Sequence, residues 1–182
     1  MRVVAGKVRG LSLKTLDGDS TRPTRDMVRE ALFNIIANKT NDAIFLDLFA
    51  GSGAIGIEAL SRGAKKAYFV DVNKEAIGIV KQNVEKAKFC DNSVIIQNEF
   101  SKALDTFKNE KFDIIFVDPP YNKGLGIEAI EKISDYNLLS KDGIIVYETD
   151  KIEKVPEEIG RYKRYDYRKY GRNILNFYFW KG

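Results

Sequence analysis

The apolar positions of the chain change rhythm twice, which separates a beginning, a body and a tail. Up to residue 16 the chain is short, apolar and basic, with Gly6 and Gly10. That predicts a small β-hairpin or extended arm. Asp17, Gly18, Asp19 and Ser20 follow as a turn. Met27, Val28, Ala31, Leu32, Ile35 and Ile36 then recur at helical spacing, which predicts a helix over about 24–38 with Thr24 as its N-cap. From Ala43 short apolar runs alternate with amphipathic stretches. The runs at 44–48, 67–70, 93–97, 113–117 and 143–148 read as strands. The stretches around 55–60, 74–86, 101–107 and 126–136 read as helices. Almost unbroken apolar runs suit strands covered on both faces. Their alternation with helices argues for a parallel, doubly wound sheet. In the tail, 162–168 and 174–180 alternate around Tyr170-Gly171-Arg172-Asn173, as an antiparallel hairpin closing one sheet edge would. The expected architecture is therefore α/β: seven strands, mostly parallel, with helices on both faces. It forms one domain over 1–182, with an N-terminal extension at 1–40 and a core at 41–182.

Composition narrows the chemistry. The chain contains no histidine, which removes His-based triads, His general bases and the commonest metal ligand. The single cysteine, Cys90, excludes an internal disulfide framework. No apolar run approaches the roughly 20 residues of a membrane span, and the start lacks the apolar stretch of a signal peptide. A soluble, cytoplasmic protein without membrane contact is expected. The net charge of +4 is unevenly spread. Residues 1–30 carry seven basic and four acidic side chains, and 151–182 carry nine and four. The middle carries fourteen and eighteen. Basic ends on an acidic body suit a polyanionic partner, and ordinary solubilising lysines would give the same count.

Gly51, Gly53 and Gly56 form a G-x-G-x-x-G pattern between a strand and a helix. Glycine permits the sharp turn and lets a ligand approach the main chain, and the helix start offers N–H groups to it. Asp71, twenty positions after Gly51 at the next strand's end, can accept hydrogen bonds from two ribose hydroxyls. This much fits NAD(H) as well as another nucleoside. Asp47, four residues before Gly51, tilts the choice. A carboxylate in the crevice suits a ligand bearing a positive group, such as the amino group of a methionine moiety, and is a poor neighbour for pyrophosphate. The structural alternative is that Asp47 caps a loop.

Asp118-Pro119-Pro120-Tyr121 follows the fourth strand. Two prolines stiffen the backbone and remove two N–H donors, leaving a corner rich in acceptors. An exocyclic amine on a nucleobase needs such a corner. The Asp118 side chain and the Pro119 carbonyl can accept its two hydrogens and draw the nitrogen lone pair out of conjugation. Tyr121 offers a ring on which a flipped-out base can stack.

Together these segments resemble the Rossmann-like S-adenosylmethionine (AdoMet)-dependent methyltransferases that modify amino nitrogens. Segments 2–11 (RVVAGKVRGL), 22–34 (RPTRDMVREALFN) and 47–63 (DLFAGSGAIGIEALSRG), with Tyr170-Gly171 near the end, resemble the RsmD family across the whole chain. That family comprises bacterial guanine-N2 methyltransferases of 16S ribosomal RNA. The resemblance implies a class I methyltransferase fold, AdoMet as donor, and 16S rRNA or an assembling small subunit as substrate. Such a transfer needs no metal, and a monomer is expected. By position, Asp47, Phe49 and the Gly51–Gly53 turn would hold the methionine end. Asp71 would hold the ribose, Val72 would lie beside the adenine, and Asn98, Glu99 and Phe100 would frame it. Asp118, with Pro119, Pro120 and Tyr121, would orient the amine next to the donor, and Asp118 would also border the donor's own site. Arg22, Thr24, Arg25, Arg29, Lys123, Arg168 and Arg172 are the candidates for RNA contact, interleaved in the tail with Tyr165, Tyr167 and Tyr170. The alternative is that Arg22 and Arg25 pair with carboxylates inside the protein and the tyrosines pack on the sheet.

Three other functions remain open at this level. A DNA adenine-N6 methyltransferase shares the amine chemistry, although it usually needs a target-recognition domain for which there is little spare length. A nicotinamide-dependent oxidoreductase explains the glycines and Asp71 and leaves the Asp118 corner unexplained. A non-catalytic RNA-binding assembly factor could keep the same scaffold.

Overall fold

In the computed structural model the described residues are 1–16, 23–120 and 123–182, with the backbone alone at 23–25. The apolar runs become the strands β1 (Ile44–Asp47), β2 (Lys66–Asp71), β3 (Ser93–Gln97), β4 (Phe112–Val117) and β5 (Leu139–Asp150). They pair in parallel in the order β3-β2-β1-β4-β5. The tail adds β6 (Glu158–Ile159), β7 (Tyr162–Tyr170) and β8 (Asn173–Trp180). β8 runs antiparallel between β5 and β7, and β6 closes the edge.

Alternation along each strand sends side chains into two separate cores. Phe45, Phe69, Ile114, Phe116, Val146 and Phe177 meet the helices α1 (Pro23–Ile35), α3 (Ala54–Ser61) and α4 (Lys74–Lys86). Leu46, Tyr68, Val70, Ile115, Ile145 and Tyr178 meet α5 (Phe100–Thr106) and α6 (Leu125–Asp135). The four-residue α2 (Ala37–Thr40) follows α1, and a 3₁₀ turn (Cys90–Asn92) precedes β3. Strand order reverses between β1 and β4, and in such sheets the crevice for a ligand opens at the carboxyl ends beside that switch.

The mostly parallel sheet and the terminal hairpin are as expected, with differences in detail. The described residues form eight strands where seven were predicted, because the two-residue β6 pairs with β7 through Glu158↔Lys163 and Ile159↔Tyr162. A two-residue strand leaves no periodicity to read. β5 begins at Leu139, opposite Phe112, and the register shifts before Ile114↔Ile144, so an irregularity masks its start. Helix α1 begins at Pro23 rather than after a Thr24 cap. A proline fits the first helical turn, where its missing N–H has no intrahelical partner. The turn proposed at 17–20 lies outside the described residues.

The N-terminal arm folds back on itself with one bridge, Arg2↔Ser12, and backbone bonds from Val3 to Leu11 and from Leu13 to Met1. Side chains on the helices hold it down. Both oxygens of the buried Glu58 on α3 accept from the arm, from Val4 N at 2.8 Å and Ala5 N at 3.0 Å. Asn83 on α4 accepts from Lys14 N at 2.8 Å and donates to the carbonyls of Lys14 and Ser52, so one amide ties the arm to the glycine-rich turn. At Gly6 (φ +84°) a Cβ would lie 1.9 Å from the Ser61 carbonyl oxygen, so only glycine lets the arm approach α3 this closely.

Candidate active site

A cleft of about 980 Å³ opens at the carboxyl ends of β1, β2, β4 and β5. Its first wall is the glycine-rich turn. Gly51 (φ +54°) and Gly53 (φ +77°) both adopt the left-handed conformation, and Gly53 precedes the first residue of α3. Gly56 serves packing instead: a Cβ there would lie 2.3 Å from the Phe69 ring, so its absence lets α3 sit directly on β2. The turn is anchored by Ala50 N to Val70 O at 2.9 Å and Gly53 N to Ala50 O at 2.7 Å.

Asp71 ends β2 with each carboxylate oxygen fixed. Gly51 N donates to Oδ2 and Asn73 N to Oδ1, both at 2.8 Å. A carboxylate oxygen accepts more than one hydrogen bond, so an anchored Asp71 can still receive hydroxyls from the cleft. Asp47 ends β1 almost fully buried, and its Oδ2 accepts from Gly56 N at 3.1 Å. Burial is the main force pushing its carboxyl up to about 7; the Gly56 hydrogen bond works against that and the nearby charge of Asp71 adds to it. Asp47 thus does cap the turn into α3, and it also lines the cleft. Phe49 and Phe100 pack with ring centroids 5.4 Å apart. Both rings line the cleft with Val72, Asn98 and Glu99. Asn98 is placed by its backbone N–H on Asp71 O at 3.1 Å, and its side chain accepts from Glu99 N at 2.9 Å. Val72 is 68% exposed, an apolar side chain on the rim.

The opposite wall comes from β4, β5 and the β7–β8 turn. Asp118, Pro119 and Pro120 line it, together with Glu148, Asp150, Arg172 and Asn173. Tyr121 and Arg22 lie outside the described residues, as do the side chains of Thr24 and Arg25. Lys123 is exposed and does not line the cleft. Arg168 is exposed on β7 and pairs with Asp166 at 2.9 Å, also away from the cleft.

Arg29, on α1, also lines the cleft. It is 3% exposed, donates to the Arg2 carbonyl, and pairs with Asp26 at 3.0 Å and Glu58 at 3.5 Å. Arg29 is thus an internal brace between α1, the arm and α3 at the edge of the cleft. Asp26, one turn back on α1, was the partner within reach in the sequence, whereas Glu58 is far away in sequence. Glu148 and Asn173 were missed. The available signal was that β1, β2 and β5 and the corner after β4 all bring an acid to the carboxyl end of an apolar run: Asp47, Asp71, Glu148 and Asp118.

The fold and the paired acids on a glycine-rich turn define the α/β methyltransferase class, and solved structures agree. The protein superposes on "Putative methyltransferase yhhF from Escherichia coli" with a TM-score of 0.84 and 32% identity, covering 98% of this chain and 96% of that one. Residues 1–179 match the family model described as Conserved hypothetical protein 95, and the chain belongs to that family, the RsmD family. It is 41% identical to "Putative rRNA methyltransferase YlbH" of Bacillus subtilis over 162 residues, 88% of each chain. It is 37% identical to "Ribosomal RNA small subunit methyltransferase D" of Haemophilus influenzae over 155 residues, 83% of this chain and 79% of the relative.

Proposed function

We propose that the protein transfers the methyl group of AdoMet to the exocyclic N2 of a guanine in 16S rRNA of the small ribosomal subunit. The observation that carries this is the meeting, in one cleft, of the Gly51–Asp71 wall with the Asp118-Pro119 corner. The rRNA methyltransferase names of the relatives support the substrate class.

The residues present fit the donor. At Gly51 the space where a Cβ would stand is open, so a ligand can lie against the main chain. Asp71 offers an anchored carboxylate to vicinal hydroxyls, and Val72 offers apolar contact to a purine face. Asp47 is a buried carboxylate facing a cleft that would receive a cationic amino acid moiety. The donor supplies an already activated methyl group on a sulfonium. Asp118 and the Pro119 carbonyl accept hydrogen bonds from the guanine amine, fix its nitrogen toward the methyl carbon and raise the availability of its lone pair. As the N–C bond forms, the C–S bond breaks, leaving S-adenosylhomocysteine. The nitrogen then sheds its extra proton toward Asp118 or water. Most of the contribution is positioning, which histidine-free chemistry allows.

The test offers tritium-labelled AdoMet with three acceptors: small ribosomal subunits, protein-free 16S rRNA and duplex DNA. The expected label lies on N2 of one guanine of the rRNA. Label on DNA adenine, or none on RNA while NADH binds, would overturn the proposal.

A further inference from the structure

Three neighbouring strands, β1, β4 and β5, deliver carboxylates to the same side of the sheet. Phe45, Phe116 and Val146 belong to the core under α1, α3 and α4. Two residues further along the three strands come Asp47, Asp118 and Glu148, all lining the cleft. β4 and β5 are in register through Phe116↔Val146 and Val117↔Tyr147, so Asp118 and Glu148 are the next residues on adjacent strands. Adjacent strands lie about 4.8 Å apart.

Glu148 is 9% exposed, a deeply placed acid at the end of a central strand. It lies beyond β4 from the glycine-rich wall, so the donor's ribose and amino acid ends give it no role. The Asn173 side-chain amide donates to its Oε1. Asn173 reaches it because β8 returns antiparallel to β5, pairing Asp150↔Asn173 and Glu148↔Leu175. This wall carries Asp118, Glu148 and Asp150 beside Arg172; the adjacent acids Asp118 and Glu148 offer acceptors to a base edge with donors, while Arg172 is the group on the wall suited to a phosphate. Guanine presents two donors side by side, the N2 amine and N1–H. Adenine presents an unprotonated N1 in the same place.

We propose that Glu148 accepts the N1–H of the target guanine beside the amine held by Asp118, and that Asn173 is the positioning residue that orients its carboxylate. The inference deepens the guanine-N2 reading and rests on it. It makes Glu148 the residue that rejects bases with an unprotonated N1, because a carboxylate facing a nitrogen lone pair leaves two acceptors opposed.

The test first locates the methylated guanine by mass spectrometry. The full-length protein then acts on small subunits reconstituted with guanine or with 2-aminopurine at that one position. 2-Aminopurine keeps the N2 amine and has an unprotonated N1. Wild type is expected to prefer guanine by at least about ten-fold in kcat/KM. Glu148→Gln, whose amide can donate to an unprotonated N1, is expected to narrow that preference by at least about ten-fold. Comparing the two ratios cancels the intrinsic reactivity of the two bases. Asn173→Ala should lower the rate on guanine and spare the rate on 2-aminopurine, whereas general damage would lower both. Equal wild-type rates on the two bases, or an unchanged ratio in Glu148→Gln with intact AdoMet binding, would overturn the role of Glu148 and leave the guanine-N2 reading standing. If wild type places no methyl on any guanine N2, both fall together.

Discussion

Gly51 and Asp71 are twenty positions apart and meet through one 2.8 Å hydrogen bond. Glu148 and Asn173 are twenty-five positions apart, and they meet only because the chain crosses the outer strands and turns back. The first pair belongs to the donor half of the cleft, built from one strand–turn–helix–strand unit. The second belongs to the acceptor half, assembled from β4, β5 and the tip of the terminal hairpin. In the donor half the acids are tied to backbone N–H groups: Asp71 to Gly51 and Asn73, Asp47 to Gly56. In the acceptor half an acid is tied to a side-chain amide, which another sequence can replace without disturbing the strands. On the proposed function, the donor side holds one invariant molecule and the acceptor side is the part that selects a base.

The comparison breaks most visibly at Asp118. Asp118→Ala is expected to lower methyl transfer by about a hundred-fold or more, with AdoMet affinity by calorimetry nearly unchanged. A loss of affinity as large as the loss of rate would merge the two halves. Asp71→Asn, on the donor side, gives the reverse pattern. AdoMet affinity is expected to fall by about ten-fold or more, since hydrogen bonds to a charged acceptor are worth roughly 1.5–3 kcal/mol, while binding of the RNA alone holds.

Asp47 sharpens the comparison through pH. Its carboxyl, normally near 3.8, is pushed up to about 7 in the folded protein, so the native state keeps a proton that the unfolded chain has lost. The stability this contributes is complete below about pH 3.8 and is lost as pH rises to about 7. Chemical denaturation across that window should show Asp47→Asn flattening the decline. A cationic ligand favours the ionised form, so AdoMet binding near pH 7 should release protons. Calorimetry in buffers of different ionisation enthalpy reads that release, and Asp47→Asn should abolish it. Proton uptake instead would place the ligand's positive groups elsewhere. The smallest effect is expected at the tail. Arg168→Glu should weaken RNA binding a few-fold and reduce its salt dependence by about one phosphate contact, leaving AdoMet affinity unchanged.

The same contrast explains what could be read in the sequence. The parallel strands and their order of appearance were visible because each is an apolar run, largely buried on both faces in β1, β2, β4 and β5 and half-buried in the edge strand β3, and the hairpin because Tyr170-Gly171-Arg172-Asn173 interrupts alternating side chains. The donor wall was legible because its spacing is local: a turn needing positive φ at Gly51 and Gly53, then an acid at the next strand's end. The acceptor wall was legible at Asp118-Pro119-Pro120, where two prolines mark the backbone, and at Arg172 in the hairpin turn. Glu148 looked like any polar residue ending a strand, since its meaning depends on the β4–β5 register and on the return of β8. Arg29 was only partly legible for a related reason. Asp26 lies one turn back on the same helix, but its second acid, Glu58, lies on α3 and meets it only in the folded chain.

The claim on which all this depends is that one cleft presents a guanine amine to a sulfonium methyl group. Mass mapping of 16S rRNA from cells lacking the protein tests it most directly. The account predicts that a single N2-methylguanine is lost, restored by the wild-type chain and not by Asp118→Ala. A complete and unchanged set of rRNA methyl groups in those cells would contradict it.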